Sequence, residues 1–199
     1  MLNKEAAIPT PPDSHRALLQ QLRRYLRESK KILDAWDAYS DENTDLDGWP
    51  YDDHAYGLRA SQRDADTAQA FETVRAGAHH LLATAQTQLA MLPSRAVQNR
   101  WVWQLGTLRD GLDRLDALHE QWLQTRDSLP ADARPGTEAF DDALAAYHAD
   151  AWSCLDDWAT HGHAVHDINA AARHAPSPLA PPPTATAALS TGSSGKVRS

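Results

Sequence analysis

From Val97 to Leu129 the apolar residues keep a helical rhythm: Trp101, Leu105, Leu108, Leu112, Leu115, His119, Trp122, Arg126, Leu129. From Trp101 the spacing alternates four and three throughout, which puts one side chain per turn on a single helical face. Such a stretch must bury that face against other helices, and the rest of the chain offers them.

A first helix is expected over about 15–39, with the seam Leu18, Leu22, Tyr25, Ser29, Ile32, Trp36 and Tyr39 widened by Leu19, Leu26 and Leu33. Asp13 or Ser14 suits its N-cap. The second, about 61–92, carries Ala68, Phe71, Arg75, Ala78, Leu82, Ala85, Leu89 and Leu92. Pro93 ends it, and the hydrophobic phase slips there, so a tight turn rather than a kinked rod leads into the third helix, about 95–128. The fourth, about 137–172, follows a loop holding Pro130, Pro135 and Gly136; its seam is Phe140, Leu144, Tyr147, Ala151, Cys154, Trp158, His161, Val165 and Ile168. Helices of about 25–35 residues at ~1.5 Å rise give rods of about 40–50 Å. The expected fold is all-α: an antiparallel up-down-up-down four-helix bundle over residues 14–174. The proline-rich segment 1–13 and the Pro/Ala/Ser/Thr-rich tail 175–199 are expected to be disordered, having too little apolar surface to offset ordering entropy.

The connection 40–60 is acidic and rich in aromatics. Asn43, Asp45, Asp47 and Gly48 imitate the start of a calcium loop, but Pro50 and His54 occupy positions where that loop needs an apolar residue and a bidentate Glu. An acidic turn is therefore expected, with Trp49, Tyr51 and Tyr56 folding back to cap the bundle.

The net charge of −8 argues against general nucleic-acid affinity. A single cysteine, Cys154, excludes an internal disulfide and suits a reducing compartment. No stretch has the roughly 18 apolar residues of a membrane helix, and no apolar run follows Met1. A cytoplasmic chain with no membrane contact is expected.

Ten histidines raise the question of a metal. Glu-x-x-His, His-Glu-x-x-His and Cys-x-x-Cys spacings are all missing. Counting back from the turns brings His79, Asp157 and His161 to one level, where they are either a polar group fixing helix register or three ligands for a metal. No cofactor is expected, and no nucleophile arrangement or glycine-rich phosphate loop is found. Paired acids such as Asp156 and Asp157 splay to different helical faces.

Arg16, Arg23, Arg24, Arg27, Lys30 and Lys31 form a basic stripe on helix one. It is either a solvated face or a docking surface for an acidic partner; no aromatic is interleaved and no DNA-binding motif surrounds it, so nucleic acid is the lesser candidate. Trp103 lies off the seam of helix three, where it either covers a neighbouring helix edge or meets a partner. The function expected is non-enzymatic: an adaptor, scaffold or regulatory partner working by protein contact or self-association. A metal- or small-ligand-binding sensor is the alternative, and a nucleic-acid-associated protein using the stripe is weaker.

Overall fold

The computed structural model describes residues 11–175; the segments 1–10 and 176–199, and with them most of the two stretches expected to be disordered, lie outside it. The chain is all-α: α1 Pro11–Asn43, α2 Asp53–Met91, α3 Asn99–Ser128, α4 Glu138–His161 and α5 His163–His174, with a 3₁₀ turn at Ser94–Ala96. Four helical rods build the fold, the last broken into α4 and α5 at Gly162.

The core is built from the inner stretches of the apolar seams together with Val74, Leu81 and Leu155 beside them, while Trp36, Tyr39, Trp122 and Phe140 at the seam ends are only partly buried. Leu22, Tyr25, Phe71, Val74, Leu81, Leu108, Leu112, Leu115, Leu155, Trp158 and Ile168 are almost wholly shielded from water. Cross-helix contacts give the pairing. His15 meets His80 and Trp36 meets Tyr56, so α1 and α2 run in opposite senses. His79–Asp116 and Gln86–Arg109 do the same for α2 and α3, and Trp122–Phe140 and Trp103–His161 for α3 and α4. α4 packs closely on α2 as well as α3, with the Trp158 ring edge-on to Phe71 at 5.2 Å.

Four boundaries differ from the expectation. α1 begins at Pro11, inside the segment expected to be loose, because proline at the first turn of a helix forfeits no hydrogen bond and has its φ already set. The cap expected at Asp13 or Ser14 therefore falls inside the helix. α1 runs on to Asn43, and α2 starts at Asp53, whose predecessor Asp52 accepts the Ala55 N–H as N-cap. The connection expected over 40–60 thus shrinks to 44–52. At the third helix, the turn Ser94–Ala96 delays the α-helix to Asn99. The fourth rod is interrupted at Gly162, where a Cβ would stand 2.6 Å from the Trp158 carbonyl and 3.0 Å from Leu26 Cδ2.

The longer α1 and α2 create an arm. From Lys30 to Arg63 no residue is fully buried. Beyond that root the two helices are held by each other: Trp36 packs on Tyr56 at 4.9 Å, Tyr39 on Tyr56 at 6.0 Å, Arg59 lies over Tyr39, and Ser40 and Tyr56 share a hydrogen bond of 2.9 Å.

Candidate interaction surfaces

The loop at the arm's tip is tightly hydrogen-bonded. The Asp45 carboxylate accepts the N–H groups of Asp47 and Trp49, both at 2.9 Å. Asp45 N–H donates to the Trp49 carbonyl at 2.8 Å, Gly48 N–H to Asp45 O, and Tyr51 N–H to Asn43 O. Gly48 takes φ +82°, which a side chain would resist. Asp45 Oδ1 thus closes the turn.

That closure holds large side chains in water. Trp49 is 71% exposed and Tyr51 72%, with Leu46 and Leu58 beside them in sequence and also exposed. Trp49 and Tyr51 do not fold back, and Tyr56, within α2, packs on Trp36 and Tyr39 of the arm rather than capping the end of the bundle. Asp41, Glu42, Asp45, Asp47, Asp52 and Asp53 surround Trp49 and Tyr51, with no lysine or arginine between Asp41 and Asp53. The tip is therefore apolar at its centre and negative around it.

Arg63 secures the root of the arm. Its guanidinium carbon lies 3.6 Å from the Trp152 ring centroid and 4.3 Å from that of Trp36, linking α1, α2 and α4. Its Nε and Nη2 donate to Asp64 Oδ1 at 2.9 and 2.6 Å, and Asp64 is buried. Sequence reasoning missed this group. A pattern of one seam per helix does not show a planar cation shared by rings from two other helices.

The basic stripe of α1 divides. Lys30 pairs with Asp34 at 2.7 Å and Lys31 with Glu28 at 3.1 Å, both in solvent, where such pairs contribute little. Arg24 lies with Glu28, Gln69 and Thr73 on the α2 side, and Arg27 is exposed. Arg16 and Arg23 instead turn toward α5 and share a cleft of ≈ 390 Å³ with Arg173 and His166.

Trp103 is 61% exposed, beside exposed Val102, and its ring meets His161 edge-on at 4.7 Å. It thus covers part of α4 and still offers a face to solvent.

The structure does not bring His79, Asp157 and His161 together. His79 is exposed and its Nε2 lies 2.7 Å from Asp116 Oδ2 on α3, while His161 is taken up by Trp103. Among the described residues no three His, Cys, Asp or Glu side chains converge as a metal site. The cause is register. The Gln86–Arg109 contact sets Leu105, and with it His161, level with the last turn of α2, well past His79. His166 on α5 is half-buried.

His148, Asp156 and Cys154 on α4 have shifted pKa values. Burial pushes the half-buried His148 below the ordinary histidine value, against the pull of Asp64 and Glu72. Burial, then the neighbouring Asp157, raises the Asp156 carboxyl. Cys154 is buried on the helical seam and burial raises its thiol, the opposite of what a nucleophile needs.

Among the described residues no helix is long and apolar enough to cross a membrane. Compared with protein-family models, curated proteins and solved structures, the chain matches none, so its class rests on the four-helix all-α fold and on these surfaces.

Proposed function

We propose that this is a non-enzymatic helical-bundle protein that works in the cytoplasm by protein–protein contact, through the tip of the α1–α2 arm. One observation carries the reading: Trp49 and Tyr51 stand in solvent on a loop whose backbone is already hydrogen-bonded. Tryptophan and tyrosine are the side chains that most often dominate binding energy at interfaces. A loop closed before binding loses little further entropy on contact. The six carboxylates around the tip call for a partner surface with an apolar hollow rimmed by lysine or arginine. The buried, raised Cys154 thiol and the scattered carboxylates support a role in contact rather than in catalysis.

A photo-crosslinking residue at Leu46, introduced into the full chain in its source cells, tests this. The expected result is a discrete adduct that weakens with added salt and vanishes in Trp49→Ala/Tyr51→Ala, while the circular-dichroism melt of that variant is unchanged. No adduct, or one indifferent to the double substitution, overturns the reading.

A further inference from the structure

We propose that the cleft between α1 and α5 is a binding site for a small soluble molecule bearing phosphoryl groups. The cleft measures ≈ 390 Å³ and is lined by Arg16, Arg23, Arg173, His166, Asn169 and Asp167 among others. That volume lies within the usual range of about 300–1,000 Å³ for small-ligand sites.

Three observations converge here. First, the three guanidiniums are uncommitted: among the described residues, Arg16, Arg23 and Arg173 take part in no ion pair. Among the described residues Arg24 and Arg27 of α1 are unpaired as well, so what sets this trio apart is its gathering in one hollow, with a single carboxylate, on a chain of net charge −8. The one carboxylate lining the cleft, that of Asp167, lies 3.8 Å from Arg100 on α3. Second, His166 Nε2 is enclosed and has no hydrogen-bond partner. The same ring lines the cleft, and a turn that brought this nitrogen to the cleft would let an oxygen-rich ligand supply the missing hydrogen bond. Third, the floor is fixed. Buried Asn169 uses Oδ1 to accept from Gln88 Nε2 at 3.1 Å and sits 3.3 Å from His15 Nε2, joining α1, α2 and α5 beneath the cleft.

The chemistry selects phosphate. Guanidinium groups present paired N–H donors that match two oxygens of a tetrahedral oxyanion, and three of them, two from α1 and one from α5, suit more than one charge. Residues 176–199 contain no Asp or Glu, and residues 1–10 contain only Glu5, so neither segment carries an acidic run to fill the cleft. The cleft lies toward the start of α1, about 30–40 Å along that helix from the loop at its other end, so this site and the arm tip stand or fall separately.

Calorimetric titration of the full chain with inorganic phosphate and with pyrophosphate, at low salt, tests the proposal. Expected are saturable binding at one site, pyrophosphate at least tenfold tighter than phosphate, and at least a tenfold loss for each in Arg23→Gln/Arg173→Gln. The charge-matched control Arg24→Gln/Arg114→Gln binds as the parent does. Both replaced pairs are exposed, and a thermal melt verifies that each variant folds. A second readout follows from His166. Burial and Arg23 hold its pKa below the ordinary value, with His163 adding to them and Asp167 opposing. An anion contacting the ring reverses this, so its NMR titration should move to higher pH with pyrophosphate. No saturable binding, an equal loss in the control pair, or capture of an oligo-aspartate peptide or phosphatidic-acid vesicles but not pyrophosphate each overturns the proposal.

Discussion

The Tyr25 hydroxyl donates a hydrogen bond to the Leu155 carbonyl at 2.7 Å, joining α1 to α4 in the middle of the core. Tyr25 is buried, with its ring edge-on to Phe71 at 5.2 Å, and burial drives its pKa well above the ordinary tyrosine value. Tyr25→Phe keeps the ring and removes the hydroxyl, leaving a buried carbonyl with its intrahelical partner alone. Urea unfolding should register a loss of about 1 kcal/mol, within the usual range for a neutral hydrogen bond. An unchanged midpoint would mean that the bond adds nothing net.

The seam of α3 supplies the deepest aliphatic layer. Leu112 and Leu115 are buried, and Trp158 donates its indole N–H to the Leu108 carbonyl at 3.1 Å across the same layer. Leu112→Ala or Leu115→Ala should each lower the unfolding free energy by about 2–5 kcal/mol. Losses below about 1 kcal/mol at both sites would show that the layer collapses around the missing atoms.

At the break between α4 and α5, backbone and neighbouring side chains fill the space a Cβ on Gly162 would need. Gly162→Ala sets a methyl group against the Trp158 carbonyl and against Leu26 and Leu22. A destabilisation of about 1–3 kcal/mol is expected from such overpacking. The helix-propensity gain of ~1 kcal/mol for replacing glycine opposes it, so a more stable variant would mean that α1 can yield.

Sequence periodicity gave the helical faces because one side chain per turn is a local signal. Tyr25, Phe71, Leu112 and Trp158 all stand where the spacing put them. What depends on the relation between helices was not legible. The arm looked like a loop because Asp41, Glu42, Asp52 and Asp53 are polar, yet two helices can continue past a core when rings such as Trp36 and Tyr56 join them. The level of His79 depended on the turn at Ser94–Ala96, whose geometry sets register and whose residues carry no sign of it. The α1–α5 cleft was half legible: Arg16 and Arg23 stood out as charges, but their company with Arg173 arises only in the packed molecule.

Arg63 ties the arm to the body, and the shape of its head group matters. Arg63→Lys keeps a charge for Asp64 but loses the flat contact with Trp36 and Trp152. Cation–π contacts contribute from about 0.5 kcal/mol to about 2 kcal/mol where water is excluded. A loss near the upper end is expected. Amide exchange over residues 32–60 should also quicken more than in α3. Uniform quickening would make Arg63 part of the global core rather than the arm's anchor.

Stability should fall on mild acidification. His148 and His166 both have pKa values held below the ordinary 6.5, by burial first and, for His166, by Arg23 next. The unfolded chain therefore takes up protons at a higher pH than the folded one. Stability is full above about pH 6.5 and declines as pH falls through the window between the unfolded and folded values. Asp156 acts in the opposite sense, since its raised pKa favours the folded state as its carboxyl protonates, but that happens lower on the scale. Melting temperature should thus drop between about pH 7 and pH 5, and His148→Gln/His166→Gln should flatten the slope. A parent chain whose melting temperature holds constant across that interval would mean that both imidazoles protonate without resistance from the fold.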